Sequence, residues 1–337
     1  MILKSRVFSL ALLLAIAVMT PGVLKAQQPM NELPLGSGGS GSKTGGAGAM
    51  AGGVTGLDGG GETAPAPGAT TGPEAVAFDG TSIWVATQFN DSVTRVRVSD
   101  NVVTGTFATG KRPVALLYAA GSIWVANLLG DTVSKINPAT GAITASYAAG
   151  DGPGGLAFDG TNLWVANRDA NAVTKMTTSG TKLGTFPVGN RPMGVAFAGG
   201  SIWVVNNFSN SVTKLSLAGA VLGTYAVGKG PFGVTGQGEN VWVTNYFGKT
   251  VTKLRAADGT NLGTFNVGDG AAGVLFDGTF VWVVNNGDST LMKLTPADGA
   301  VVTTFATGKG PFAIAFDGAK VWVPNFASNS VSTAAAN

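Results

Sequence analysis

Gly121-Ser-Ile-Trp-Val-Ala-Asn127 decides the fold, because closely similar text returns around every tryptophan of the chain. The tryptophans stand at Trp84, Trp124, Trp164, Trp203, Trp242, Trp282 and Trp322, at intervals that never differ by more than one position. In an extended strand Ile123 and Val125 point to one side and Trp124 to the other. All three are apolar, so both faces of the strand need cover. Strands of this kind repeated at that interval are the text of a β-propeller, in which each copy is one four-stranded blade and neighbouring blades cover each other.

Working outward, each copy opens on a short apolar strand, turns into the tryptophan strand, crosses a polar loop, and ends in a cationic strand and an aromatic one. Pro73, Pro113, Pro153, Pro192, Pro231 and Pro311 open six copies, and Ala271 opens the remaining one. The last copy, from Pro311 to Asn337, is shorter than the others and lacks its outer strand. An open edge there would expose unpaired backbone groups. The stretch from Gly61 to Gly72 would complete one blade, and Pro65 and Pro67 within it are tolerated on an edge strand. The expectation is therefore one all-β domain over residues 61–337, a seven-bladed propeller, with residues 61–72 as a closing strand. The competing expectation is a three-stranded last blade behind a disordered leader.

Residues 1–26 read as a secretory signal: Lys4 and Arg6, an apolar run from Val7 to Met19, then Pro21-Gly22 and Ala26. The run is short for a membrane-spanning helix, so membrane attachment is expected only through an uncleaved signal. Secretion or a periplasmic location follows, without a lipid-modified cysteine, since the chain has none. Residues 27–60 read as a flexible Gly, Ser and Ala-rich linker. Gly41-Ser42-Lys43-Thr44 in it has neither the preceding strand nor the following helix that a phosphate loop needs.

The formal charge of +3 belongs to Lys4, Arg6 and Lys25, and from Gln27 on the chain is neutral. A neutral body lacks the cationic footprint of nucleic-acid binding. With no His and no Cys, a zinc or copper site is not expected, and no short Asp-rich loop offers oxygen ligands for Ca²⁺ or Mg²⁺. No metal and no cofactor are expected, and the propeller is expected to be a monomer.

Residues that recur in the copies read as structure. The tryptophans, the fourth-strand Phe107, Tyr147, Phe186, Tyr225, Phe265 and Phe305, and the first-strand Phe78, Tyr118, Phe158, Phe197, Phe276 and Phe316 are candidate core. Asp-Gly at 79, 159, 277 and 317 suits a tight hairpin turn. Arg95, Lys135, Lys175, Lys214, Lys253 and Lys293 close the third strands, their stems expected on a neighbouring blade and their charges in water. Asn127, Asn167, Asn206, Asn245, Asn285 and Asn325 follow the tryptophans at a fixed offset and are expected to bond loop backbone.

Function is sought where the copies differ. The loops between second and third strands, and those between blades, are expected on one face around the central channel. Phe89, Arg112, Leu129, Arg168, Arg191, Phe208, Tyr246, Phe247 and Phe326 are the candidate binding residues there. They form either an exposed recognition patch or plugs folded back over the loops.

The recurring Pro-x-Gly-Val-Ala-Phe-Asp-Gly-x-x-Ile-Trp-Val-x-Asn text, followed by Asn-Ser-Val-Thr-Lys-Leu, resembles the YVTN-type and streptogramin-lyase-like bacterial seven-bladed propellers over residues 73–333. The resemblance implies a secreted or periplasmic propeller with any ligand site on the loop-rich face. Its lyase member is an Mg²⁺-dependent enzyme that uses histidines, and this chain has none. Elimination needs a base titrating near neutrality. The expectation is thus no catalytic residue and a binding or scaffold module for a protein, a peptide or an envelope glycan. The alternative is a lyase-like or other Mg²⁺-dependent enzyme.

Overall fold

Every tryptophan strand is the second from the axis in its sheet, and the first strands of successive sheets touch one another around a central axis. The computed structural model that establishes this describes residues 28–35 and 72–336. Blade 1 consists of Pro73–Phe78, Ser82–Thr87, Ser92–Arg97 and Val103–Ala108, paired antiparallel in that order. Blades 2 to 6 repeat it over residues 113–148, 153–187, 192–226, 231–266 and 271–306. Blade 7 starts with the bridge of Pro311 to Asn325 and the short strand Ala315–Phe316, which touches Pro73–Phe78 and closes the ring. The fold is the expected seven-bladed propeller.

The outer strand of blade 7 is Asn31–Pro34, antiparallel to Ser330–Ala335 with Leu33 opposite Val331. Just before it, Gln28–Pro29 pairs parallel with Val301–Ala306 and adds a fifth strand to blade 6. Residues 28–35 thus form a strap across the outer edges of the last two blades. Leu35 is buried with Val76 and Ile83 of blade 1 and with Trp322 and Val331 of blade 7, and Leu33 packs beside it. This corrects the sequence reading, which gave the closing role to Gly61–Gly72 and put residues 28–35 in a linker over 27–60; the rest of that linker, residues 1–26 and residues 61–71 lie outside the described residues. The physical reason is side-chain content. Leu33 and Leu35 place a large apolar group at every second position, whereas residues 61–72 contain none.

Burial of the seven tryptophans is complete. Each of Trp84 to Trp282 lies near the fourth-strand aromatic of its own blade, with ring centroids from 5.6 Å for Trp84 and Phe107 to 6.2 Å for Trp124 and Tyr147. In blades 1 to 5 the turn glycine of the next blade lies against that aromatic. A Cβ on Gly219, at φ +90, would stand 2.0 Å from Phe186.

The third-strand cations do more than the sequence implied. Lys135 Nζ donates to Thr178 O at 3.1 Å, Lys175 to Leu217 O at 2.6 Å, and Lys214 to Ala256 O and Ala257 O at 2.8 and 2.7 Å. Arg95, Lys253 and Lys293 reach the next blade in the same way. Each cation also lies over the tryptophan of its own blade, between 5.1 and 5.6 Å from the ring centroid. The charges therefore sit against backbone carbonyls and indole faces rather than in water, and each joins one blade to the next. Thr333 takes this position in blade 7, and the seam it cannot latch is the one that Leu33 and Leu35 fill.

The Asp of each Asp-Gly turn also has a second task. Asp79, Asp159, Asp277 and Asp317 accept the indole N–H of Trp84, Trp164, Trp282 and Trp322 at 2.6 to 2.8 Å. Burial opposes the charge of Asp79, but the Trp84 indole and the amides of Thr81 and Ser82 outweigh it and hold the carboxyl below its ordinary value. Asp159 is lowered against burial by Trp164, Asn162 and Thr161 in the same way. A carboxyl lowered on folding stabilises fully above its unfolded pKa, about 3.9, and loses that contribution as pH falls through the folded value. The melting temperature is expected to drop steeply below about pH 4. Changing Asp79 and Asp159 together to Asn should flatten that drop while lowering the melting temperature at pH 7.

The asparagines after the tryptophans are buried, and they bond third-strand hydroxyls rather than loop backbone alone. Asn206 Nδ2 donates to Ser211 Oγ and Thr213 Oγ1 at 3.1 and 2.9 Å, while its Oδ1 accepts from Gly189 N at 3.1 Å. The first-strand aromatics are less buried than expected of a core. Tyr118 and Phe197 are each 40% exposed, because the innermost strand ends at the opening of the channel opposite the loops.

Candidate functional site

The side chains that close each second strand lead into loops on one face, and these loops ring a cavity of about 880 Å³ on the propeller axis. Its deepest lining is a belt with one aliphatic residue from each blade at one position of the repeat. Val76, Leu116 and Leu156 come from blades 1 to 3, and Val195, Val234, Val274 and Ile314 from blades 4 to 7. One step up, the positions are small. A Cβ on Gly155 would stand 2.2 Å from Met193 O, and one on Gly233 2.5 Å from Ala272 O, so close approach of the inner strands requires glycine there.

Above these the copies diverge. Blades 1 to 4 carry Glu74, Val114, Gly154 and Met193, and blades 5 and 7 carry Phe232 and Phe312. Phe232 packs on Phe312 at 6.1 Å and on Tyr246 at 5.8 Å, and Phe312 meets Phe326 at 5.9 Å. Phe89 extends the line against Phe326 at 5.5 Å, and Phe247 ends it against Tyr246 at 5.2 Å. The result is a continuous aromatic wall around blades 5, 7 and 1.

The other side of the mouth is polar. Arg112 Nε donates to Gln88 Oε1 at 2.8 Å. Arg168 Nε donates to Asp169 Oδ1 at 3.1 Å, which fixes the plane of the guanidinium. Both arginines line the cavity, and Glu74 is the lining carboxylate. Asn286 lines it as well and accepts the Tyr246 hydroxyl at 2.9 Å. Burial, and after it the negative charge of Asp269, pushes the Tyr246 phenol above its ordinary pKa. At neutral pH it is a hydrogen-bond donor and not a base.

Of the nine candidate residues, Phe89, Arg112, Arg168, Tyr246, Phe247 and Phe326 line this cavity. Leu129, Arg191 and Phe208 do not. Leu129 is 61% exposed, and Arg191 lies over the Phe208 ring at 4.5 Å outside the well. Sequence reasoning missed Phe232, Phe312, Met193 and Glu74. The available signal was the residue after each blade-opening proline, which differs between copies although it lies in a strand and not in a loop.

The sequence matches no protein-family model and no curated protein. Solved structures do share the architecture. Hydrazine synthase of Kuenenia stuttgartiensis is 19% identical, with a TM-score of 0.72 over 79% of this chain and 96% of that one. A streptogramin B lyase is 16% identical, with a TM-score of 0.69 over 78% and 93%. A catalytically inactive virginiamycin B lyase of Staphylococcus aureus with quinupristin is 16% identical, with a TM-score of 0.68 over 78% and 94%. The likeness is one of fold.

Proposed function

We propose that the protein is a non-catalytic binding module acting outside the cytoplasm, and that it takes its ligand in the loop-ringed well. The observation that carries this reading is the aromatic wall facing a polar rim across an open cavity of about 880 Å³. Cavities of this size with apolar walls and a few placed polar groups are the usual form of ligand sites. The exocytoplasmic setting rests on the leader-like text of residues 1–26. The lyase activity named for two of the structural neighbours is set aside on chemical grounds: the chain has no imidazole, and the phenol at the wall is held protonated.

The test uses protein starting at Gln27, incubated with envelope extract, repurified and examined by native mass spectrometry. It should carry a bound species that Phe247→Ala with Phe326→Ala no longer retains. Turnover of a lyase substrate that disappears in Tyr246→Phe would overturn the reading, as would retention of the bound species by the double variant.

A further inference from the structure

We infer that the well binds an amphiphile end-on, a single apolar tail with an anionic head, the head on Arg168 and the tail on the aliphatic belt. This rests on the binding-module reading and names the chemistry of its ligand. One blade has no side chain at the position where the copies diverge. At the position after the blade-opening proline, blade 3 has Gly154, where its neighbours carry Val114 and Met193. A Cβ on Gly154 would meet nothing nearer than 3.9 Å, and one of its two nearest atoms is the Cβ of Arg168. Unlike Gly155 beside it, Gly154 is not required by close packing, and its backbone is not in the left-handed region. Gly154 and Leu156 stand two positions apart on one strand and line the cavity with Arg168, and we read the side-chain volume absent at Gly154 as a slot between Arg168 and the belt.

The two ends of that slot differ in chemistry. Below, the belt offers only aliphatic carbon. Above, the Arg168 guanidinium is turned by Asp169 through Nε and Nη2, at 3.1 and 3.4 Å, and among the described residues its Nη1 has no hydrogen-bond partner. Asp169 balances the charge of Arg168 and Glu74 that of Arg112, so the selection lies in the Nη1 donor left over: a carboxylate head accepts from it, and a quaternary ammonium head has nothing to accept with. A glycan is disfavoured because its hydroxyls would have no partners along the belt.

Calorimetric titration with dodecanoate, below its micellar range, is the direct test. Dodecanoate should bind one per chain, and dodecyltrimethylammonium, with the same tail and a cationic head, about tenfold or more weaker. Gly154→Phe gives blade 3 the side chain that blades 5 and 7 already hold, and it should weaken dodecanoate binding about tenfold or more at an unchanged melting temperature. Arg168→Gln should bring the two probes within about threefold of each other. Equal binding of both probes, no binding of dodecanoate, or indifference to Gly154→Phe would overturn the inference. If the species captured from envelope extract is still lost in the Phe247 and Phe326 double variant while dodecanoate does not compete with it, the binding module stands and the amphiphile falls. If the double variant keeps that species, the module reading itself falls.

Discussion

Protein that begins at residue 36 is expected to unfold at markedly lower denaturant concentration than protein that begins at Gln27. Without residues 28–35 the third strand of blade 7, Ser330–Ala335, becomes an open edge, and the cluster between blades 7 and 1 loses Leu33 and Leu35. Truncating one buried leucine costs about 2–5 kcal/mol, so Leu35→Ala alone should show most of a measurable shift. The whole deletion should exceed it, since among the described residues no third-strand cation bridges this seam to blade 1. Chemical denaturation followed by tryptophan fluorescence reads the midpoint directly. The exposed edge should also make the shortened protein self-associate, which size-exclusion chromatography detects. An unchanged midpoint would show that the strap contributes nothing to closure.

The second large effect is expected at Trp282. Its ring is wholly buried, lies 5.8 Å from Phe305 and sits 5.2 Å below the Lys293 ammonium, while its N–H is bonded to Asp277 at 2.6 Å. Burial holds the Lys293 pKa below its ordinary value, with Asp277 opposing, so this cation depends on its surroundings for partners. Trp282→Ala removes the packing, the indole donor and the surface under Lys293 together, and should lower unfolding free energy by about 3–5 kcal/mol. Trp282→Phe keeps most of the packing and leaves Asp277 without its donor. It should recover more than half of the loss if packing dominates, and little if the Asp277 bond does. Denaturation curves of the two variants separate these outcomes.

What the sequence made legible was what is local and repeated. The tryptophan strand needs cover on both faces wherever it stands, so its seven copies read as seven blades, and in four of them an Asp-Gly turn with glycine at positive φ marks the hairpin before it. The strap was not legible, because its meaning lies in a partner far along the chain: Leu35 O accepts from Asn329 Nδ2 across 294 residues. So short a piece has no periodicity of its own, and the glycine-rich text after it hid it further. The cations of the third strands read as surface residues because their acceptors, backbone carbonyls some 42 to 44 positions ahead, have no side-chain signature. Six of the nine loop candidates line the cavity because propeller geometry puts those loops around the axis. Phe232 and Phe312 were missed because strand residues were read as repeat, although theirs are the positions at which the copies disagree most.

The strap leaves one further consequence for the covalent chain. It is held by four paired residues along Ser330–Ala335 and by two leucines in the seam, and none of these contacts uses the peptide bonds between Leu35 and Gly72. The hold on residues 28–35 is thus a matter of strand pairing and packing, in the manner of a peptide added to a sheet edge.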